Sequence, residues 1–256
     1  MKHQEGNFKG YKDFNIYYQS WKPEGNIKAV LLVAHGYCEH SGRYGNVVNH
    51  FIPKGYAVYA LDHRGHGRSD GARAQVDRFT DFIEDLKTFF DIVHKDNPGK
   101  KIFLIGHSMG SAISLIYALQ YQHELAGLIT SGARVNAPPP PVPNQLINPS
   151  FFSRDPAVIQ AHKNDPLVYH GPMPQNAPQT KMTDTMPEEL PQIKLPALIM
   201  GGDGCEDGEH SQAVYELIGS EDKTIKRYKN ALHEIFNEPE HPMVMADMEK
   251  WLESHL

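Results

Sequence analysis

The chain has 256 residues, of which 40% are hydrophobic and 22% charged, and its formal net charge is −6. This size and apolar content suit one globular domain with a sizeable core, or one domain that carries an insertion. A net negative charge is not typical of proteins that bind nucleic acids, so a nucleic-acid partner is not expected. No apolar run approaches the ~20 residues of a membrane span, and the polar residues 1–7 do not resemble a signal peptide.

Cysteine and histidine usage narrows the chemistry further. Cys38 and Cys205 are the only cysteines, and two cysteines in a chain of this size predict free thiols in a reducing, cytoplasmic compartment. The fifteen histidines show no H-E-x-x-H or C-x-x-C spacing, so no metal site is expected.

Apolar runs alternate with amphipathic stretches along the chain. Strands are predicted at residues 29–34, 56–61, 101–105, 127–131, 197–200 and 224–228. Helices are predicted at residues 47–52, 79–93, 111–118 and 243–255. This alternation predicts an α/β fold, with a mostly parallel sheet and helices on both faces. Residues 14–18 alternate in polarity, which predicts antiparallel edge strands near the N-terminus.

Residues 134–191 do not continue the alternation of strands and helices, because they hold 13 of the 19 prolines. Proline removes a backbone donor and fixes φ, so this region cannot form a central strand or a long helix. Asp155 followed by proline predicts the start of a short helix that ends at His162. We expect residues 134–191 to form a cap over the carboxyl ends of the strands, and residues 1–133 and 192–256 to form the core.

The most informative motif is G-x-S-x-G at residues 106–110, with Ser108 at its centre. A short apolar run precedes it and a helical pattern follows, which is the context of a nucleophile elbow. Glycines suit a tight turn with little room for Cβ atoms. The start of the helix would place backbone N–H groups near the serine hydroxyl, where negative charge develops during attack on a carbonyl.

A serine esterase also needs a histidine base and a carboxylate, and in this fold the chain order is serine, acid, histidine. His233 follows the last predicted strand, and Asp203 follows the strand before it. Asp203 is predicted as the acid because it lies nearest the strand end, after two glycines. The same acidic loop holds three rivals, of which Asp207 ranks second; they are Glu206, Asp207 and Glu209.

Two backbone N–H groups should hold the oxyanion. One belongs to Met109, which follows the nucleophile. The other is predicted at Tyr37, in the loop after the strand that ends at Ala34.

Several segments together resemble the monoacylglycerol lipase/lysophospholipase branch of the α/β-hydrolases. They lie at residues 35–44, 62–71, 106–110, 153–156, 165–168, 233–234 and 237–240. By this resemblance Ser108, Asp203 and His233 match the family's triad, and Tyr37 and Met109 match its oxyanion donors. The family uses no cofactor and acts on monoacylglycerols and related single-chain esters. The resemblance also implies weak peripheral membrane contact through the cap.

This chain departs from the family in three places. The family pattern L-I-x-H-G-x-x-D reads LIMGGD at residues 198–203 and looks shortened. Tyr37 is bulky where the family often has a small residue. Residues 134–153, the part of the cap that supplies the family's acyl tunnel and membrane contact, are short and proline-rich.

The leading hypothesis is a serine carboxylester hydrolase that cleaves monoacylglycerols or similar esters through an acyl-enzyme. A small-substrate carboxylesterase, and an acyltransferase or amidase on the same triad, stay open, whereas a non-catalytic ligand-binding protein and a peptidase are less favoured. Glu39 and Arg43 either bind the alcohol end of the substrate or form a salt-bridged loop scaffold. Thiol reagents are expected to slow the enzyme through Cys205, which lies in the acidic loop.

Overall fold

A computed structural model describes residues 1–135, 148–178 and 186–256. Eight strands form one sheet, namely β1 (Lys2–Lys9), β2 (Asn15–Lys22), β3 (Val30–Ala34), β4 (Ala57–Leu61), β5 (Ile102–His107), β6 (Gly127–Ser131), β7 (Ala197–Gly202) and β8 (Lys223–Tyr228). The helices within the described residues are α1 (Gly45–Phe51), α2 (Thr80–Asp96), α3 (Met109–Tyr121), α4 (Pro156–Asn164), α5 (Met186–Glu189), α6 (Asp207–Leu217) and α7 (His241–Glu253).

The strand order in the sheet is β1-β2-β4-β3-β5-β6-β7-β8. β1 and β2 pair antiparallel, β2 also pairs antiparallel with β4, and the remaining strands run parallel. The α/β class and the antiparallel N-terminal edge are therefore confirmed. Parallel strands covered on both faces are continuous apolar runs, and β3 and β4 are buried along their whole length.

Two hydrophobic clusters cover the two faces of the sheet. One packs α2, α3 and α6 against the sheet through residues such as Phe82, Ile113 and Val214. The other packs α1 and α7 through Phe51 and Met248. This layered arrangement leaves the carboxyl ends of the parallel strands as the edge at which loops from several elements meet.

The sequence patterns do not indicate helix α6, because its first residues belong to an acidic cluster that is typical of a solvated loop. Its sequence, DGEHSQAVYEL, carries few apolar residues and no clear apolar face. Only its inward side is buried, through Asp207, Gly208, Ser211 and Val214. Because one of these buried residues is a carboxylate, the helix matters for the site as well as for the core.

The proline-rich region is described in part. The predicted helix is present as α4, and Asp155 caps it by accepting a hydrogen bond from the Ala157 N–H at 2.8 Å. The region lies against the strand ends, since the Tyr169 N–H donates to the Cys38 carbonyl at 3.0 Å. The proline run at 138–141 and most of the shortened segment at 134–153 lie outside the described residues. The division into a core and a cap at residues 134–191 stays a prediction.

None of the helices formed by residues 1–135, 148–178 and 186–256 combines the length and the apolar character that a membrane crossing requires.

Candidate active site

Ser108 lies at the sharp turn between β5 and α3, with φ of 53° and ψ of −117°. A positive φ is unfavourable for a residue with a Cβ atom, so the surrounding structure must hold it. The Ser108 N–H donates to the Ser131 carbonyl at 2.8 Å. The Ser111 hydroxyl lies 2.8 Å from the Gly106 carbonyl and 2.9 Å from that of Ser131. These contacts tie the turn to the end of β6.

The two glycines of the motif are required by close packing. A Cβ atom on Gly106 would lie 2.5 Å from the Gly110 carbonyl oxygen. A Cβ atom on Gly110 would overlap with the carbonyl group of Ala34, at the end of β3. The elbow is thus wedged between its own helix and the neighbouring strand, as the sequence predicts.

His233 follows β8 and is held by a buried carboxylate. Its Nδ1 atom lies 2.5 Å from Oδ2 of Asp207, whose side chain is fully buried. Asp207 is the first residue of α6, where the helix dipole favours a negative charge. Nδ1–H donates to the carboxylate, so Nε2 is left as the basic nitrogen.

The pKa values of this pair are set by opposing effects. Burial alone would raise the pKa of Asp207, but His233 and then Arg134 outweigh it and hold that pKa well below its usual range. Burial alone would lower the pKa of His233, but the charge and hydrogen bond of Asp207 outweigh it and raise that pKa above its usual value. The pair is therefore a carboxylate that stabilises the charged form of a histidine.

The assignment of Asp203 as the partner of this histidine is corrected by the structure. Asp203 Oδ1 accepts a hydrogen bond from Nε of Arg227 at 2.7 Å, and its side chain is 33% exposed. β7 runs two residues farther than predicted, to Gly202, and the Asp203 N–H then donates to the Tyr228 carbonyl. This turn directs the Asp203 side chain toward β8. The next turn of chain brings the second-ranked candidate, Asp207, to His233.

The end of β6 connects the nucleophile with the histidine. Ser131 accepts the Ser108 N–H, and Gly132 is the next residue, with φ of +60°. A Cβ atom on Gly132 would lie 3.1 Å from Cε1 of His233 and 3.2 Å from Oδ2 of Asp207. The His107 ring, next to the nucleophile, has its centroid 4.8 Å from that of His233. Serine, histidine and aspartate thus meet at one strand-end edge.

The two predicted oxyanion donors lie beside this edge. A Cβ atom on Gly36 would lie 3.3 Å from the Cβ atom of Ser108, so the loop after β3 passes next to the nucleophile. Within residues 1–135, 148–178 and 186–256, neither the Tyr37 nor the Met109 N–H donates to another residue. The Tyr37 hydroxyl is anchored on the Ala74 carbonyl at 3.1 Å. The assignment of these two amides as oxyanion donors stays a prediction.

His35 fixes the base of this loop. Its Nε2 accepts a hydrogen bond from the His63 N–H at 2.8 Å, so Nδ1 carries the proton and donates to the Gly36 carbonyl at 2.7 Å. Burial, followed by the charges of neighbouring histidines, holds the pKa of His35 well below its usual value. The neutral ring joins the loops after β3 and β4.

Glu39 and Arg43 belong to a buried ion network with Glu234. Arg43 Nε lies 3.3 Å from Glu39 Oε2, and its Nη2 lies 2.6 Å from Glu234 Oε2. Glu39 Oε1 also accepts the Gly36 N–H at 2.5 Å and the Tyr44 hydroxyl at 2.9 Å. All three charged side chains are at most 8% exposed. This geometry favours the salt-bridged scaffold over direct contact with an alcohol.

Burial, followed by the Glu234 carboxylate, raises the pKa of Glu39. Burial would also raise the pKa of Glu234, but Arg43 and hydrogen bonds outweigh it and lower that pKa. Because Glu39 holds the Gly36 amide, this network shapes the loop that carries Tyr37.

A cavity of about 370 Å³ adjoins the same loop. Its lining combines residues from the loops after β3 and β4 with residues that follow α4, namely Cys38, His66, Arg73, Leu167, Tyr169 and His170. Among the described residues, no group of three or more His, Cys, Asp or Glu side chains is arranged to hold a metal ion.

A serine on a strained strand-to-helix turn, a histidine after the last strand and a doubly covered parallel sheet define an α/β-hydrolase. Residues 25–240 match the family model described as serine aminopeptidase, S33. Over 98% of both chains, the protein is 35% identical to the monoacylglycerol lipase of Mycolicibacterium smegmatis. It is 31% identical to the human monoglyceride lipase, over 87% of this chain and 81% of the relative.

The fold also matches a carboxyl esterase from Bacillus coagulans, with a TM-score of 0.85 at 22% identity over 99% of both chains. The chain therefore belongs to the monoacylglycerol lipase/lysophospholipase family of α/β-hydrolases and is a carboxylic ester hydrolase.

Proposed function

We propose that the protein hydrolyses monoacylglycerols or similar single-chain esters through an acyl-enzyme on Ser108. The observation that carries this proposal is the 2.5 Å contact between Asp207 Oδ2 and His233 Nδ1, next to a serine held at a positive φ. The relatives named monoacylglycerol lipase support the substrate class.

In the first half of the reaction, Ser108 Oγ attacks the ester carbonyl carbon while His233 Nε2 takes the hydroxyl proton. The carbonyl oxygen becomes an oxyanion, which the N–H groups of Tyr37 and Met109 bind at the N-terminus of α3. His233 then gives its proton to the alcohol oxygen, and the bond between that oxygen and the acyl carbon breaks. The alcohol leaves, and the acyl group stays on Ser108.

In the second half, water attacks the acyl carbon and gives its proton to His233. The bond to Ser108 Oγ breaks, the serine regains the proton, and the carboxylic acid leaves. Asp207 stays ionised throughout, because it orients the ring and stabilises its charged form.

The region at residues 134–191 would act as a cap that selects the acyl chain. Two contacts support this role: the Glu234 N–H, next to the catalytic histidine, donates to the Phe152 carbonyl at 2.7 Å, and the Phe152 ring centroid lies 5.9 Å from that of His233. The Tyr169 N–H reaches the carbonyl of Cys38, the residue after Tyr37. These contacts between the region and the loops of His233 and Tyr37 support a role in selecting the substrate.

The test is kcat/KM on monoacylglycerols and p-nitrophenyl esters of increasing acyl length, for the wild type, Ser108→Ala and a control, Ser254→Ala. We expect Ser108→Ala to lose at least about 10⁴-fold in kcat/KM and Ser254→Ala to match the wild type. Rising activity with chain length supports the monoacylglycerol substrate. A peak at acetyl or butyryl esters would favour the small-substrate esterase, and near-wild-type turnover by Ser108→Ala would refute the mechanism.

An acyltransferase would share the acyl-enzyme and differ only in the acceptor. Product analysis in the presence of an added alcohol or amine separates the two, since hydrolysis yields free acid as the dominant product.

A further inference from the structure

The two oxygen atoms of Asp207 are held in different ways. Oδ2 contacts His233, whereas Oδ1 is buried and has no hydrogen-bond partner of good geometry among the described residues, although the Cys205 thiol also interacts with this carboxylate. A buried carboxylate oxygen without a donor is unfavourable and needs an explanation. Beside this oxygen lies a permanent cation, Arg134, whose Nη2 is 3.6 Å from Oδ1.

Arg134 reaches this position from the loop that follows β6. Its neighbour Gly132 packs against the His233 ring, so the same short loop touches both members of the pair. Arg134 Nη2 also lies 3.9 Å from Oε2 of Glu206, which precedes α6. The side chain is 48% exposed, so it approaches the buried carboxylate from the solvent side.

We propose that Arg134 is a positioning residue for the Asp207–His233 pair: its guanidinium holds Oδ1, and its charge opposes a second positive charge on His233. The catalytic consequence rests on the function proposed above, whereas the contact with the pair does not. Nothing in the motifs of the sequence marks Arg134, because its role depends on where α6 begins.

The charges around His233 act on its pKa in opposite directions. Asp207 and Glu234 favour protonated His233, and Arg134 opposes it. The neighbouring His107 is neutral near pH 7, because burial and then the charge of His233 lower its pKa to about 3. Other ionisable groups near the pair, among the described residues, include Cys205, Glu206, His210, His162 and Arg43, and the last is paired with Glu39 and Glu234.

Removal of the Arg134 charge should therefore raise the pKa of His233. The acid limb of the kcat/KM profile should move to higher pH in Arg134→Gln and stay near the wild type in Arg134→Lys. The plateau should fall by at most about fivefold, because the cation is half exposed. High salt should reduce the difference between the wild type and Arg134→Gln.

The experiment pairs this pH profile with an NMR titration of the His233 ring, assigned by its loss in His233→Asn. Arg227→Gln is the matched control, because Arg227 is 41% exposed at the same edge but is paired with Asp203. Thermal unfolding of each variant confirms that it is folded. The titration reports on Arg134 even if the protein has no ester activity, so the two proposals fail separately.

A higher His233 pKa in Arg134→Gln, absent in Arg227→Gln, is the expected result. An unchanged His233 titration in Arg134→Gln would overturn the inference, whatever the activity. The same shift in both arginine variants would also overturn it, because the effect would then be one of overall charge.

Discussion

His233 Nδ1 lies 2.5 Å from Oδ2 of Asp207, and the Asp207 side chain is fully buried at the first position of α6. Asp203, four residues earlier, instead pairs with Arg227 on β8. These two carboxylates thus have different partners, and only Asp207 touches the candidate base.

Asp207→Asn should lower kcat by about 10⁴-fold, because the amide no longer stabilises the charged ring or enforces the tautomer with Nε2 free. Asp203→Asn is the matched control and should stay within about twofold of the wild type, because exposed ion pairs contribute little. The measurement is kcat on a p-nitrophenyl ester. A large loss in Asp203→Asn with a small one in Asp207→Asn would restore the sequence-based assignment.

Activity should fall as the pH drops through the pKa of His233, since only the neutral ring accepts the serine proton. Asp207 raises that pKa above its usual value of about 6.5, despite the opposing effect of burial. The acid limb of kcat/KM should therefore lie above pH 6.5. A wild-type limb well below pH 6 would contradict the pairing of His233 with Asp207.

Arg43→Met should destabilise the fold by about 3–5 kcal/mol, because it leaves Glu39 and Glu234 buried without their shared cation. The control is Asp91→Asn, which breaks an exposed pair with Lys87 and should change the free energy of unfolding by less than about 1 kcal/mol. Urea unfolding measures both. Equal, small effects would show that the buried network does not hold the loop.

His63→Leu should make the protein more resistant to acid. The His63 ring is buried, and neither ring nitrogen has a hydrogen-bond partner among the described residues. Burial, followed by nearby positive charges, lowers its pKa well below the usual value. The unfolded state therefore binds a proton that the folded state does not, and stability falls as the pH drops below about 6.5.

The slope is about 1.4 kcal/mol for each pH unit per histidine. We expect the gain from His63→Leu, measured by urea unfolding, to be larger at pH 5 than at pH 7. His123→Gln, at an exposed histidine, serves as the control. An equal gain in the free energy of unfolding at both pH values would show that protonation of His63 does not contribute to acid unfolding.

Cys205 should react slowly with iodoacetamide at neutral pH, and its modification should slow ester turnover. Burial and then the Asp207 charge raise the pKa of its thiol to about 12, so little thiolate is present. A label at this position would disturb the turn that leads into Asp207. Cys205→Ser should keep activity and lose sensitivity to the reagent. Full activity after confirmed labelling of Cys205 would refute this expectation.

The inner parallel strands could be predicted because both faces of each are covered and each is therefore one apolar run. β8 differs, since it lies at the edge of the sheet with the sequence KTIKRY, of which only Tyr228 is buried. Residues 127–131 coincide with β6, and the other five predictions of parallel strands end within two residues of the structure. The sequence predicts β1 only as an unspecified edge strand, since its sequence KHQEGNFK is polar and only Phe8 is buried. An edge strand that faces solvent carries little periodic signal.

The acid could not be chosen from distance to the strand end alone. That criterion assumed that β7 ends at Met200, but the strand continues to Gly202 and the turn then points Asp203 away from the site. Aligned without a gap from Leu198, the family pattern L-I-x-H-G-x-x-D places Cys205 at the acid position. The carboxylate that contacts His233 is instead Asp207, two residues farther along the chain, at the start of α6. Its proximity to His233 depends on the three-dimensional path of the chain and not on a sequence motif.

The most direct test of the central claim is to treat the protein with a fluorophosphonate and map the adduct by peptide mass spectrometry. We expect one adduct, on Ser108, whose formation slows strongly in Asp207→Asn and remains at the wild-type rate in Asp203→Asn. An adduct on another residue, or none on the folded wild type, would contradict the assignment of Ser108 as an activated nucleophile.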